Sequence, residues 1–339
     1  MTKKYTEELE RGYSVSTVME EAQRCLLCYD APCSKACPAG TDPAKFIRSV
    51  RFRNFKGAAE TIRINNALGA VCARVCPTER YCESGCSRCG IDKPIDIGGI
   101  QRFVTDFEAA CGMKVLEKGA ANGKRIAVIG SGPAGLQAAA TLLQLGYEVE
   151  IFEKADRAGG FLRNIPEYRL PETVVDGEIE RVVALGAVIH CGVDVDKAKF
   201  EELKAGYDAV LVATGVRKPM ILDLFQGNPN VVSAVDLLTE IRSKHGEMNV
   251  PASALVLGGG DSAMDAATTL KMLGVKDVIE VTRNEFRASD AEKATAHEMG
   301  VITIGGYTPA AVDGKTVTFK HSRLNSELKI EAELIVVAL

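Results

Sequence analysis

Eleven cysteines are spread unevenly over this chain of 339 residues. Nine of them lie between Cys25 and Cys89, and only Cys111 and Cys191 stand outside. The first block, RCLLCYDAPCSKACPAG, spaces Cys25, Cys28, Cys33 and Cys37 as C-x2-C-x4-C-x3-C, with Pro38 next. The second, VCARVCPTERYCESGCSRCG, holds Cys72, Cys76 before Pro77, Cys82, Cys86 and Cys89. The start, MTKKYTEELERGYS, lacks the apolar core of a secretory leader. No apolar run reaches the ~18 residues of a membrane span. The chain reads as cytoplasmic, where dense thiols serve as metal ligands or redox groups more often than as disulfides.

Structural zinc favours paired C-x2-C knuckles, and only 25–28 and 86–89 have that spacing. Iron–sulfur chemistry fits better. Cubane clusters take four thiolates, and a C-x3-C-P element ends a ferredoxin-like run whose last cysteine can serve the other cluster. Cys37-Pro38 and Cys76-Pro77 are two such C-P elements. Counting supports two [4Fe-4S] clusters: seven thiols, plus one of Cys72 or Cys89, make eight. Cys72, Cys111 and Cys191 otherwise read as small buried apolar residues.

A second kind of chemistry starts after the turn-rich link EKGAANGK. KRIAVIGSGPAGLQAAATLLQLGYEVEIFEK runs strand, glycine turn, helix, strand, with Gly130, Gly132 and Gly135 as G-x-G-x-x-G and Glu153 closing the second strand. The first glycine makes the turn, the second admits a pyrophosphate, and the third lets helix and strand pack closely. The acid meets a ribose hydroxyl. SALVLGGGDSAMDAATTLKMLGVKDVIEVTRN repeats the plan with Gly258, Gly260 and Asp261, and Ala263 replaces the third glycine. Thr282 stands where the acid would be, with Arg283 and Arg287 beside it. That exchange tilts the second site toward a 2′-phosphate and NADP(H). Two nested modules imply FAD facing a nicotinamide cofactor.

These motifs need elements to hold them. FIRSVRFRNFKGAAETIRINNALG reads as two short helices, with Ile47, Val50, Phe55, Ala58, Ala59 and Ile62 at helical spacing. IDIGGIQRFVTDFEAACG reads as another helix ending at Gly112. YDAVLVATGVRKP reads as a buried strand, and Asp313-Gly314 signals a hairpin. The expected fold is α+β and multidomain, with an N-terminal all-α iron–sulfur domain followed by two nested Rossmann-like α/β dinucleotide-binding domains. The expected boundaries are 1–120 for the head, 121–235 with 305–339 for the FAD domain, and 236–304 for the NAD(P) domain. A formal charge of −4 argues against a nucleic-acid partner. Arg48, Arg51, Arg53 and Lys56 then read as a solvated or partner-docking face. The histidines at 190, 245, 297 and 321 are scattered, and no side-chain acid–base pair stands out.

RCLLCYDAPCSKACPAGTDPAKFIRS, FRNFKGAAETI, NNALGAVCARVCPTE, PIDIGGIQRF, VIGSGPAGL, the RLP at 169–171 and GGGDSAMDAATTLK carry a resemblance over nearly the whole chain. It resembles the NAD(P)H-oxidising, flavin-bearing subunit of bacterial dihydropyrimidine dehydrogenase, within the glutamate synthase small-subunit superfamily. The resemblance implies one [4Fe-4S] cluster on Cys25, Cys28, Cys33 and Cys86. It implies a second on Cys37, Cys76, Cys82 and Gln101, the glutamine replacing the eighth thiol of the count. It implies FAD on the Gly130–Gly135 loop (Gly132, Pro133 and Ala134 included), Glu153, Gly160, Phe161 and Arg169. The nicotinamide dinucleotide falls on Gly258, Gly260, Asp261, Ser262, Arg283 and Arg287.

Two departures stand out. GGFLRNIP is one residue shorter than its relatives beside the flavin site, and the segment that in relatives follows LIVVAL and closes over FAD is absent, which implies weak FAD retention. The implied activity takes hydride from NAD(P)H onto FAD and sends electrons through the clusters to a separate FMN- and iron–sulfur-bearing subunit that reduces uracil or thymine. The alternatives are a glutamate synthase small subunit, an NAD(P)H:ferredoxin oxidoreductase-type subunit, or a cluster-bearing assembly module without working flavin.

Overall fold

The computed structural model describes residues 4–216 and 219–338. The chain forms two compact units. One comprises Glu10–Leu162 and Glu172–Gly215; the other comprises Met1–Leu9, Arg163–Pro171 and Val216–Leu339.

The first unit opens with α1 (Val15–Gln23), α2 (Pro32–Lys35), α3 (Pro43–Arg51), α4 (Phe55–Arg63), α5 (Gly69–Val75) and α6 (Ile97–Ala110). Their starts are encoded locally. Ser14 and Thr17 cap α1 reciprocally, and the side chains of Asp42, Asn54 and Asp96 accept backbone N–H groups at the heads of α3, α4 and α6. Caps of this kind contribute about 1 kcal/mol each. Ile47, Val50, Ala58, Ala59 and Ile62 are buried in one core with Phe46, Ile100 and Val104, and Phe55 packs at its edge. Gly112, at φ +58, follows the last turn of α6.

The same unit continues through β1 (Arg125–Ile129), α7 (Pro133–Gln144), β2 (Glu148–Phe152), α8 (Glu172–Leu185), β3 (Val188–His190), α9 (Lys197–Gly206) and β4 (Ala209–Val212). The four strands are parallel, in the order β3-β2-β1-β4. The helical head and the first nucleotide module belong to one compact unit. The strand expected to be buried is an edge strand: β4 pairs with β1 alone among the described residues, and Val212 is 59% exposed. An apolar run marks a strand but not its place in the sheet. Arg217 and Lys218 of the same stretch lie outside the described residues.

The second unit contains β5 (Val231–Ser233), α10 (Ala234–Ser243), β6 (Ser253–Leu257), α11 (Asp261–Met272), β7 (Asp277–Thr282), α12 (Asp290–Glu298) and β8 (Ile302–Gly305). An antiparallel sheet of β9 (Tyr307–Asp313), β10 (Thr316–His321) and β11 (Glu327–Glu331) follows, and then β12 (Leu334–Val337). Asp313 pairs with Thr316 across a tight turn at Gly314, as the Asp-Gly signal predicts.

Within residues 305–339, expected with the FAD domain, β12 lies between β5 and β6 in a parallel sheet ordered β5-β12-β6-β7-β8. The reason is burial on both faces: Ile335 and Val337 join Leu255, Leu257 and Phe319 in one core, while Val336 joins Val256 and Met264 in another. Leu339 lies outside the described residues.

Candidate cofactor sites

Cys25, Cys28, Cys33 and Cys86 line one cleft, walled by Pro32, Ala44, Ile47, Ile95 and Ile97. The loop between α1 and α2 carries Cys25 and Cys28, and α2 itself carries Cys33; Cys86 arrives from the far block, at the start of a short helical turn. Burial pushes the Cys25 and Cys33 thiols upward, and neighbouring thiols add to the shift. Thiols that raise one another's pKa are poor anions alone and good ligands for a cation.

A second group forms at the C-terminal end of α5. Cys76 caps that helix, with Cys72 and Cys37 close enough to raise its thiol further. Burial raises Cys76 to about 11 and Cys82 to about 12. Gln101 on α6 donates its side-chain amide to the carbonyl of Gly69, the first residue of α5, at 2.8 Å. Its amide oxygen, a possible fourth ligand atom, keeps its lone pairs for another partner. Cys89, a candidate by count, is exposed, and its sulfur points to the carbonyl of Glu83 at 3.3 Å. Cys111 and Cys191, read as buried apolar residues, are instead exposed, and Cys72 is half-buried. Cys111 caps the solvent end of α6, and Cys191 follows β3.

The first nucleotide loop has the shape of a cradle. Gly130 has φ +102, and a Cβ there would meet the Ala213 carbonyl oxygen at 2.5 Å. A Cβ on Gly135 would meet the Gly130 carbonyl oxygen at 2.0 Å, whereas one on Gly132, at the head of α7, meets nothing within 4 Å. Gly160, at φ +54, packs so closely that its Cβ would lie 2.7 Å from the Gly132 Cα. Pro133, Ala134 and Phe161 are exposed around this loop. Glu153 is buried, and one of its oxygens accepts from the Ser131 N–H at 2.9 Å and the Ser131 hydroxyl at 2.6 Å. The other accepts from the Ala155 N–H at 2.8 Å. Sequence reasoning missed Ser131, which ties the acid to the loop; a hydroxyl inside the glycine motif was the available signal.

The second loop repeats the geometry. Gly258 at φ +154 faces the Ala338 carbonyl, and Gly260, at the head of α11, opens onto free space. The Arg287 and Ala288 N–H groups donate to the Gly259 carbonyl at 2.6 and 3.1 Å. Asp261 accepts the Ser289 N–H at 3.0 Å. These bonds fold the 283–289 loop onto the glycine turn, with Arg283, Arg287 and Ser262 exposed. Arg169, which the resemblance implies beside FAD, belongs to this second compact unit. Its guanidinium contacts both Asp265 oxygens at 2.8 and 2.7 Å and also pairs with Glu292. The four histidines do not converge; His190 and His245 pair with Glu150 and Glu167 at 2.7 and 2.8 Å. No helix among the described residues is long and apolar enough to cross a membrane.

Residues 2–113 match the family of dihydropyrimidine dehydrogenase domain II, 4Fe-4S cluster, and residues 124–339 match the pyridine nucleotide-disulphide oxidoreductase family. Thiol-lined sites and paired dinucleotide cradles thus define a class: an iron–sulfur flavoprotein oxidoreductase that uses a pyridine nucleotide. The chain is 54% identical over 339 residues to the NAD-dependent dihydropyrimidine dehydrogenase subunit PreT of Escherichia coli O157:H7, covering 98% of this chain and 82% of that protein. It belongs to the family of these subunits. It is also 34% identical over 305 residues to the NADP(+)-dependent formate dehydrogenase subunit beta of Moorella thermoacetica, covering 80% of this chain and 42% of that one. Histamine dehydrogenase from Rhizobium sp. 4-9 shares the fold, with a TM-score of 0.58 at 17% identity over 87% of this chain and 43% of that one.

Proposed function

We propose that this chain is the electron-input subunit of a dihydropyrimidine dehydrogenase. It takes hydride from NADH and passes electrons to a separate subunit, bearing FMN and iron–sulfur centres, that reduces uracil or thymine to the 5,6-dihydro form. The observation that carries this reading is the placement of two thiol groups and a dinucleotide cradle in one compact unit. Cys25, Cys28, Cys33 and Cys86 would hold one [4Fe-4S] cluster; Cys37, Cys76, Cys82 and Gln101 would hold the other. The Gly130–Gly135 loop, Glu153, Gly160 and Phe161 would bind FAD. Gly258, Gly260, Asp261, Ser262, Arg283 and Arg287 would bind the nicotinamide dinucleotide. Arg169, which also holds Asp265 on α11, is the further FAD-binding residue that the resemblance implies. A bound flavin turns a two-electron hydride into single electrons that clusters can carry.

NADH rather than NADPH is the proposed donor. The tilt toward a 2′-phosphate rested on Thr282, Arg283 and Arg287, and the relative at 54% identity is named as NAD-dependent. The chain's own work is to bind, to orient and to keep the thiols away from water. Mixing the purified chain with an FMN-bearing partner subunit tests the proposal. Uracil-dependent NADH oxidation in the mixture, and in neither subunit alone, is expected. Uracil reduction by this chain alone, or electron delivery only to glutamate synthase or ferredoxin, would overturn it.

A further inference from the structure

Arg63, the last residue of α4, is a fully buried arginine, which folding does not tolerate without partners. Its Nε donates to Glu108 Oε2 at 2.9 Å, and its Nη1 donates to Glu178 Oε2 at 2.6 Å and to the Ala67 carbonyl at 2.7 Å. Arg181 Nη1 lies 3.0 Å from the other oxygen of Glu108. The side chains of Arg63, Glu108 and Glu178 are 0%, 0% and 2% exposed. Burial draws Arg63 downward, but the two glutamates outweigh it and hold the guanidinium above its ordinary value. The Arg63 guanidinium is therefore charged, and it faces both carboxylates.

The four residues come from different parts of the unit. Arg63 and Glu108 belong to the thiol-bearing head, and Glu178 and Arg181 belong to α8 of the first nucleotide module. Neighbouring backbone is pinned in the same way. The Ala67 N–H donates to Gln137 of α7 at 2.8 Å, and the Ala70 N–H reaches Glu178 at 3.4 Å. Helix α5, which begins there and is capped by Cys76, packs on α8. On α5, the Cys72 thiol is raised first by burial and lies within electrostatic reach of Glu178 and Arg63. The helix that presents the second thiol group is thus clamped at its start to the flavin module.

Buried ion clusters of this kind seldom add net stability, because desolvation offsets their attraction; an apolar set of the same volume does as well. What the forked guanidinium adds is geometry, since it grips two carboxylates in a fixed plane. We propose that Arg63 and Glu178 are positioning residues that hold the second thiol group at a fixed distance from the flavin module and so set the gap electrons cross. The proposal rests on the electron-input reading above. Each hydride carries two electrons and one proton: the electrons cross singly to the clusters and on to the partner, and the proton returns to solvent.

The test uses the full chain loaded with its cofactors. Arg63→Lys keeps the charge but loses the fork. Iron content, flavin content, the KM for NADH and the rate of flavin bleaching are expected to match wild type. Cluster reduction, followed by freeze-quench spectroscopy, is expected to lag by roughly tenfold or more, the scale on which small misplacements act. Glu178→Gln, which keeps shape and acceptor oxygen, is expected to stay near the wild-type rate. Cluster reduction at wild-type speed in Arg63→Lys, or an equal slowing of flavin bleaching, would overturn the proposal. Should Arg63→Lys fail to take up both cofactors, Arg181→Lys, at the rim with 18% exposure, makes the same comparison under the same criteria. A wild-type protein whose flavin ignores NADH would instead refute the underlying reading, which keeps the two failures apart.

Discussion

Replacing Gly132 by alanine separates the role of the first nucleotide loop from its stability. Gly132 has φ −69 and ψ −179, extended backbone open to any residue, and an added Cβ meets no atom within 4 Å. The folded apoprotein should therefore change by no more than about 0.5 kcal/mol, the range of an unobstructed surface substitution. The methyl group projects into the cradle at the head of α7, where a pyrophosphate would lie. Overpacking of that size costs about 1–3 kcal/mol, or roughly tenfold to a hundredfold in FAD affinity. Gly135→Ala is the contrasting variant: its Cβ would sit 2.0 Å from a backbone oxygen, which cannot move aside, and the fold itself should suffer. The assay is flavin released per chain on denaturation, titrated against added FAD, beside a melting curve of the apoprotein. Wild-type FAD affinity in Gly132→Ala, or a loss of apoprotein stability as deep as that of Gly135→Ala, would refute the reasoning.

Gln101→Ala should remove the second cluster, about four of about eight irons, while Cys72→Ser should leave the iron content unchanged; iron and sulfide analysis reads both. Glu280 is fully buried on β7, both its oxygens lack a hydrogen bond, and burial raises it to about 8. Its folded pKa lies above the unfolded one, so wild-type stability should fall as pH rises from about 4.5 to about 8. Glu280→Gln should flatten that slope and add on the order of 2–3 kcal/mol at pH 7, measured by denaturant unfolding at pH 5 and pH 8. Replacing Arg283 and Arg287 together by alanine should weaken residual NADPH use about tenfold, the value of one charge-assisted phosphate contact, and change NADH use far less; steady-state kinetics with each nucleotide decides.

The local features were legible. The C-P elements, the two glycine-rich turns and the Asp313-Gly314 hairpin act within a few residues, so short stretches encode them. Cys25, Cys28, Cys33 and Cys86 line one cleft, and spacing alone could not draw Cys86 to the first block. Long-range pairing was not legible. Leu334–Val337 reads as a strand, but whether it joins the first or second sheet depends on which cores its two faces fill. Arg63 and Glu178 lie 115 residues apart and look like ordinary helix-surface charges until the fold buries them. Arg169 follows the same pattern, since nothing local announces its hold on Asp265.

The central claim is that one chain joins a nucleotide-driven flavin to iron–sulfur clusters. Anaerobic stopped-flow mixing of the iron- and flavin-analysed protein with NADH, and separately with NADPH, tests it most directly. The account predicts a stoichiometric flavin, bleached promptly by NADH, followed by reduction of the clusters. Irons without flavin, and no bleaching by either nucleotide, would contradict it and leave a cluster-bearing assembly module in its place.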